Sequence, residues 1–313
     1  MARSDDLGLT WSATFLGGEI EGVTGFLRSI AFATREKGWV VGGQGYVFRT
    51  LDGGATWTRQ TSGIELPEAA TARGVLGFDS VAFLDERRGV LVGVGQTDEV
   101  IGAFGPSLLY RNERFVLRTE DGGETWTPAP IDGDRSAGSV SSTCFTDSGI
   151  GLIAGVGPSL LSEDAGRTWR SIDDRLPYSG WWHAECHGER TLWLGTVDIT
   201  RSDDGGRSWT RLTPEGLGFT CCGGAADFVT ADDGWSFTEE LLHTRDGGTT
   251  WTPAETPPRP GAFTTIEFVT PEVGVWAGTG GAWVTHDGGA SWSSAVIVPE
   301  DLRVQISEIV AVE

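Results

Sequence analysis

Apolar and polar residues alternate in short runs along this chain, and glycine punctuates the runs. Residues 29–60, SIAFATREKGWVVGGQGYVFRTLDGGATWTRQ, hold one full cycle. Ile30 and Phe32 share one face of a first strand, a charged turn follows, and Gly38-Trp39-Val40-Val41 is a second, nearly continuous apolar run. A glycine turn leads to a third strand, YVFRT, then comes TLDGGATW, and a fourth strand opens at Trp57. These runs are too short for helices, so they predict strands, here A to D. The cycle restarts at SVAFLDERRGVLVG (80–93), STCFTDSGIGLIAG (142–155), HAECHGERTLWLG (183–195), ADFVTADDGWSF (226–237) and IEFVTPEVGVWAG (266–278).

The segment between strands C and D is the most regular part. Written Ser/Thr-x-Asp-x-Gly-x-x-Trp, it occurs seven times, with Asp6 and Trp11, Asp52 and Trp57, Asp121 and Trp126, Asp164 and Trp169, Asp204 and Trp209, Asp246 and Trp251, and Asp287 and Trp292. The starts lie 46, 69, 43, 40, 42 and 41 residues apart. That is close to the roughly 40–45 residues of a four-stranded propeller blade. An Asp side chain caps amides of its own turn, glycine takes positive φ cheaply, and Trp fills the space between neighbouring sheets. The box therefore encodes a turn; a catalytic Asp would not be needed seven times.

Composition narrows the functional classes. A net charge of −21 argues against phosphate-backbone binding, so nucleic acid is excluded as a partner. No window reaches the roughly 18 apolar residues of a membrane span, and MARSDDLGLTW has no apolar signal core. The expectation is a soluble, acidic, cytoplasmic protein as given, or an exported one if a leader has been removed. Cys144, Cys186, Cys221 and Cys222 have no framework spacing and predict no disulfide scaffold.

The boxes, and the blade pattern GWVVGGQGYVFRTLDGGATW, resemble the Asp-box or BNR-repeat β-propellers, and among them the photosystem II assembly and stability factor family more than the sialidases. The resemblance spans nearly the whole chain. It implies an all-β propeller of four-stranded antiparallel blades, residues 1–313 forming one domain. Six complete blades fall between about 26 and 296, with a partial or shared seventh. In that family an N-terminal strand completes the last blade, so strands at 10–16 and 304–312 are expected to close the ring. An unpaired edge would be covered, for instance in a homodimer. The chain is not a sialidase: it has no Arg-Ile-Pro, and only Tyr46, Tyr110 and Tyr178 could serve as nucleophile. Asp-box xyloglucan hydrolases use a cleft between two propellers, and this chain supplies one.

Propeller connections alternate between faces. The boxes and A–B turns take one; the large insertions at 61–77 and 95–114 fall on the other, where ordered loops on a rigid scaffold usually bind. That face also receives Tyr178, Trp181, Trp182, Phe219 and Phe263, with Cys221 and Cys222 nearby, an aromatic rim suited to a sugar-like ligand or a protein hot spot. Aligning the A strands sets Glu185, Asp227 and Glu267 where earlier blades have Ala31, Ala82 and Cys144. Three carboxylates at one level would bind a divalent cation in the channel, share protons, or stay solvated and paired with arginine. His183, Cys186, His187, Cys221 and Cys222 include soft metal-ligand types, without motif spacing. No cofactor is required. Two functions follow: a non-catalytic binding or assembly scaffold using this face, or an enzyme (lyase, isomerase or hydrolase on a small molecule) with His183 as acid or base and Glu185, Asp227 and Glu267 binding a cation or acting as acids.

Overall fold

A computed structural model describes residues 2–4, 8–13, 27–60, 63–66, 75–104, 107–133, 140–176, 183–195, 199–212, 226–237, 240–256, 265–278 and 281–298. The alternating runs become antiparallel sheets, each ordered A-B-C-D from the inside outwards. Blade 1 is Leu27–Phe32, Gly38–Gly42, Tyr46–Thr50 and Thr58–Arg59. Blade 2 is Val75–Phe83, Gly89–Phe104, Ser107–Thr119 and Thr127–Ala129. Blades 3 to 6 begin with A strands Val140–Phe145, His183–His187, Ala226–Phe228 and Thr265–Phe268. A single 3-10 turn, Asp173–Arg175, is the only helical piece among the described residues.

Each box folds as its residue types dictate. In blade 1, Thr50 Oγ1 donates to Asp52 Oδ1 at 2.8 Å and accepts the Gly54 amide at 2.8 Å. Asp52 then accepts the Thr56 amide (2.8 Å) and hydroxyl (2.6 Å). The same bonds recur around Asp121, Asp164, Asp204, Asp246 and Asp287. Their effect is electrostatic: the Thr56 hydroxyl and amide, then Thr50, hold the Asp52 carboxyl down at about 2. Asp6 lies outside the described residues, yet its box keeps the Gly8 amide on Ser4 Oγ and Trp11 Nε1 on the Gly8 carbonyl. Every complete box also donates an amide to the A–B turn of its own blade, as Gly53 does to the Glu36 carbonyl, which puts both turns on one face.

Core packing runs between blades. Trp39 of blade 1 stacks on Phe83 of blade 2 (centroids 4.3 Å apart), Trp193 of blade 4 on Phe228 of blade 5 (4.4 Å), and Trp235 of blade 5 on Phe268 of blade 6 (3.6 Å). All three tryptophans are buried. Aromatic residues thus fill the wedge-shaped spaces that flat sheets leave around an axis.

The terminal sheet shows how the N-terminus is held. Ala2–Arg3 pairs with Thr10–Ala13, and Thr10–Ser12 runs parallel to 296–298 beyond the D strand of blade 6. Blades 2 and 3 use the same parallel device, where Ile131–Asp132 lies along the D strand of blade 3. The expected strand at 10–16 is therefore present at 10–13 in a seventh position, while 304–312 lies outside the described residues.

Candidate functional site

Consecutive A strands touch from blade 1 through blade 6 and form the inner wall. Their register follows from the A–B ladder: Ala31 opposes Trp39, Ala82 Val90, Cys144 Leu152, Asp227 Trp235 and Glu267 Val275. In blade 4 the equivalent residue is Glu185, opposite Trp193, which itself opposes Arg201 just before the box as Trp39 opposes Arg49. The sequence alignment placing Glu185 in this series agrees with the ladder. Blade 4 lacks the phenylalanine that follows this position in the other A strands and has Cys186 there, opposite Leu192.

Side chains on these strands latch each blade to the next. The Val81 amide donates to Ser29 Oγ, the Val140 amide to Asp79 Oδ2, and Ser142 Oγ to the Ala184 carbonyl. Asp79 also pairs with Arg28 of blade 1. The Phe268 amide donates to Asp227 Oδ2. Between blades 3 and 4, Cys144 and Cys186 form a disulfide. The cysteine spacing predicts no disulfide scaffold, and the structure joins this one pair. It also withdraws Cys186 as a thiolate metal ligand. A signal existed: the two cysteines stand 42 residues apart, close to one repeat period, and hence on the A strands of consecutive blades.

On the other side of the blade 4 strand, His183, Glu185 and His187 share a face, as residues two apart on a strand must. His183 Nε2 lies 2.6 Å from Glu185 Oε1, and His187 Nε2 lies 3.8 Å from Glu185 Oε2. The His187 ring meets Trp193 edge-on at 5.7 Å. All three polar side chains are half-buried, but Asp227 in blade 5 is buried. Burial pushes its carboxyl up to about 8; the negative charge of Glu185 adds to this, while the Phe268 amide and His183 oppose it. The structure thus brings His183, Glu185 and Asp227 into one electrostatic unit. Glu267 is half-buried on the next blade. Among the described residues no three His, Cys, Asp or Glu side chains are grouped so as to hold a metal ion.

The 95–114 insertion is a paired element, where the sequence suggested a loop. Strands B and C of blade 2 continue past the sheet as a hairpin, with Gln96 opposite Asn112, Val100 opposite Tyr110 and Phe104 opposite Ser107. Arg111 pairs with Glu99 at 2.7 Å, and Val100 and Ile101 are 49% and 59% exposed. Within 61–77, Ile64 bridges to Trp126 and 75–77 opens the A strand of blade 2. Tyr178, Trp181, Trp182, Phe219, Cys221, Cys222 and Phe263 lie outside the described residues. A solvent-open groove of about 340 Å³, lined by Glu163, Glu189, Arg190, Asp204 and Arg207, occurs on the box face.

No family model matches the chain. It is 25% identical over 281 residues to the photosystem II assembly lipoprotein Ycf48 of Synechococcus sp. strain CC9902, covering 85% of this chain and 73% of that protein. YCF48 from Cyanidioschyzon merolae superposes with a TM-score of 0.57 over 86% of this chain and 85% of that one, at 18% identity. The GH74 xyloglucanase from Xanthomonas campestris superposes with a TM-score of 0.61 over 86% of this chain, at 17% identity, and this chain spans 45% of that enzyme. At such identities the structural likenesses establish the fold. The resemblance read from the blade pattern holds: this chain is a β-propeller similar in sequence to a photosystem II assembly factor.

Proposed function

We propose that this Ycf48-like propeller is a non-catalytic binding or assembly scaffold for a protein partner. The observation that carries the reading is the similarity to an assembly lipoprotein across 85% of the chain. The blade 2 hairpin supports it from the geometry: it stands beyond the sheet on the face opposite the boxes and carries exposed Val100 and Ile101. An ion-paired hairpin that carries exposed apolar side chains is pre-organised, so little ordering entropy opposes docking.

The test replaces residues 97–111 by Asn-Gly, a turn that closes the hairpin between Gln96 and Asn112. Cross-linking in the native cell, followed by mass spectrometry, should recover a partner with the intact chain and lose it with the shortened one, at unchanged thermal midpoint. Retention of that partner by the shortened chain would sink the hairpin's role.

A second reading has one observation in its favour, the 2.6 Å His183–Glu185 contact beside buried Asp227. There His183 is an acid or base towards a small molecule. Loss of partner capture in the hairpin variant but not in His183→Ala would favour the scaffold; the reverse would favour this alternative.

A further inference from the structure

Two bonded cysteines on neighbouring inner strands carry an inference about where this protein acquires its structure. We propose that Cys144–Cys186 is a structural disulfide of the working protein, stapling blade 3 to blade 4, and that the chain matures in an oxidising compartment. The inference is independent of the partner-binding reading.

The geometry of the seam comes first. Inner strands of adjacent blades run side by side, and Ser142, two residues before Cys144, already bonds the Ala184 carbonyl, two residues before Cys186. The backbone is therefore held at matching register before any sulfur reacts. The Cα atoms stand 5.7 Å apart, within the roughly 4.4–6.8 Å that a disulfide spans.

The chemistry of the neighbouring seams comes second. Blades 1 to 2, 2 to 3 and 5 to 6 are each joined by a polar side chain on a backbone amide. At the 3 to 4 seam Cys144 holds the register position of Asp227, and just as Asp227 meets Phe268 across its own seam, the Cys144 sulfur meets Cys186 at the phenylalanine position of blade 4. Both cysteines pack against the buried cluster of Leu152, Leu161, Leu192 and Leu194, where a closed disulfide suits an apolar setting.

A disulfide placed this way persists outside reducing cytosol. Its formation joins Cys144 Sγ to Cys186 Sγ. Two thiols lose two protons and two electrons, which reduce the disulfide of a thiol–disulfide oxidoreductase to its dithiol form. Because Cys186 lies between Glu185 and His187, the bond also fixes the strand that carries the His183–Glu185–His187 face.

The test traps thiols in native cells with a membrane-permeant alkylating agent before lysis, then maps non-reduced peptides by mass spectrometry. A linked peptide joining Cys144 to Cys186, recovered from an extracytoplasmic fraction, is the expected result. Alkylation of both cysteines, a bond from either one to Cys221 or Cys222, or recovery only from cytosol would overturn the proposal. A second measurement keeps folding separate: purified wild type should lose several degrees of thermal midpoint on adding a strong reductant, while Cys144→Ala/Cys186→Ala should not respond. A wild-type midpoint indifferent to reductant would refute the stapling role.

Discussion

Asp227→Asn should remove a stability loss that the wild-type protein suffers as pH rises through neutrality. The carboxyl has an ordinary value of 3.8, and burial next to Glu185 raises it to about 8 in the folded chain. Between those values the folded state holds one proton that the unfolded state has released, so stability falls with rising pH. One proton corresponds to about 1.4 kcal/mol per pH unit, or roughly 3 kcal/mol between about pH 5 and about pH 7. Asparagine keeps an oxygen to accept the Phe268 amide and cannot ionise, so the variant lacks this slope. Urea unfolding followed by tryptophan fluorescence, at a series of pH values, isolates the effect as the difference between the two proteins; the remaining acidic residues contribute to both. The expected curves diverge above about pH 5, with the variant the more stable at neutral pH. Parallel profiles would refute the assignment of a buried, proton-holding carboxyl between blades 5 and 6.

Three further outcomes follow from the same geometry. Asp121→Ala removes the acceptor for the Thr119 hydroxyl and for the Thr125 amide and hydroxyl, and should cost about 2–3 kcal/mol by chemical denaturation. The boxes also give an acid limb of opposite sign to Asp227: Asp52, held at about 2, supports the fold above its ordinary range and loses that support as pH falls, visible as an acid transition that Asp52→Asn shifts. Ala165 sits at φ 60° where the equivalent residues are Gly53, Gly122, Gly205, Gly247 and Gly288, so Ala165→Gly should raise stability by about 1 kcal/mol; a lower thermal midpoint would contradict the strain argument.

Much of this protein was legible without coordinates because its strongest signals are local. A box closes its hydrogen bonds within eight residues, so seven copies reveal the turn, the strand order and the blade period. Alternating runs set strand length and the tryptophan-filled wedges. The long blade 2 insertion was visible as extra length, but its pairing was not, since polar residues such as Gln96, Thr97 and Asn112 read equally well as loop or exposed hairpin.

The alignment of the inner strands was legible, but the contacts across their seams were not. Glu185 belongs with Asp227 and Glu267, as the alignment of the repeats has it, but which group of the next blade each side chain meets depends on how the strands lie against one another. The Cys144–Cys186 bond, the Asp79 and Asp227 latches and the His183–Glu185 pair are contacts between strands or across repeats, set by which backbone hydrogen bonds close the ladder and by what the neighbouring blade presents. The repeat by itself determined the blades; how each blade grips the next was decided only when the sheets came together around an axis, because that grip depends on register and proximity, neither of which a local pattern contains.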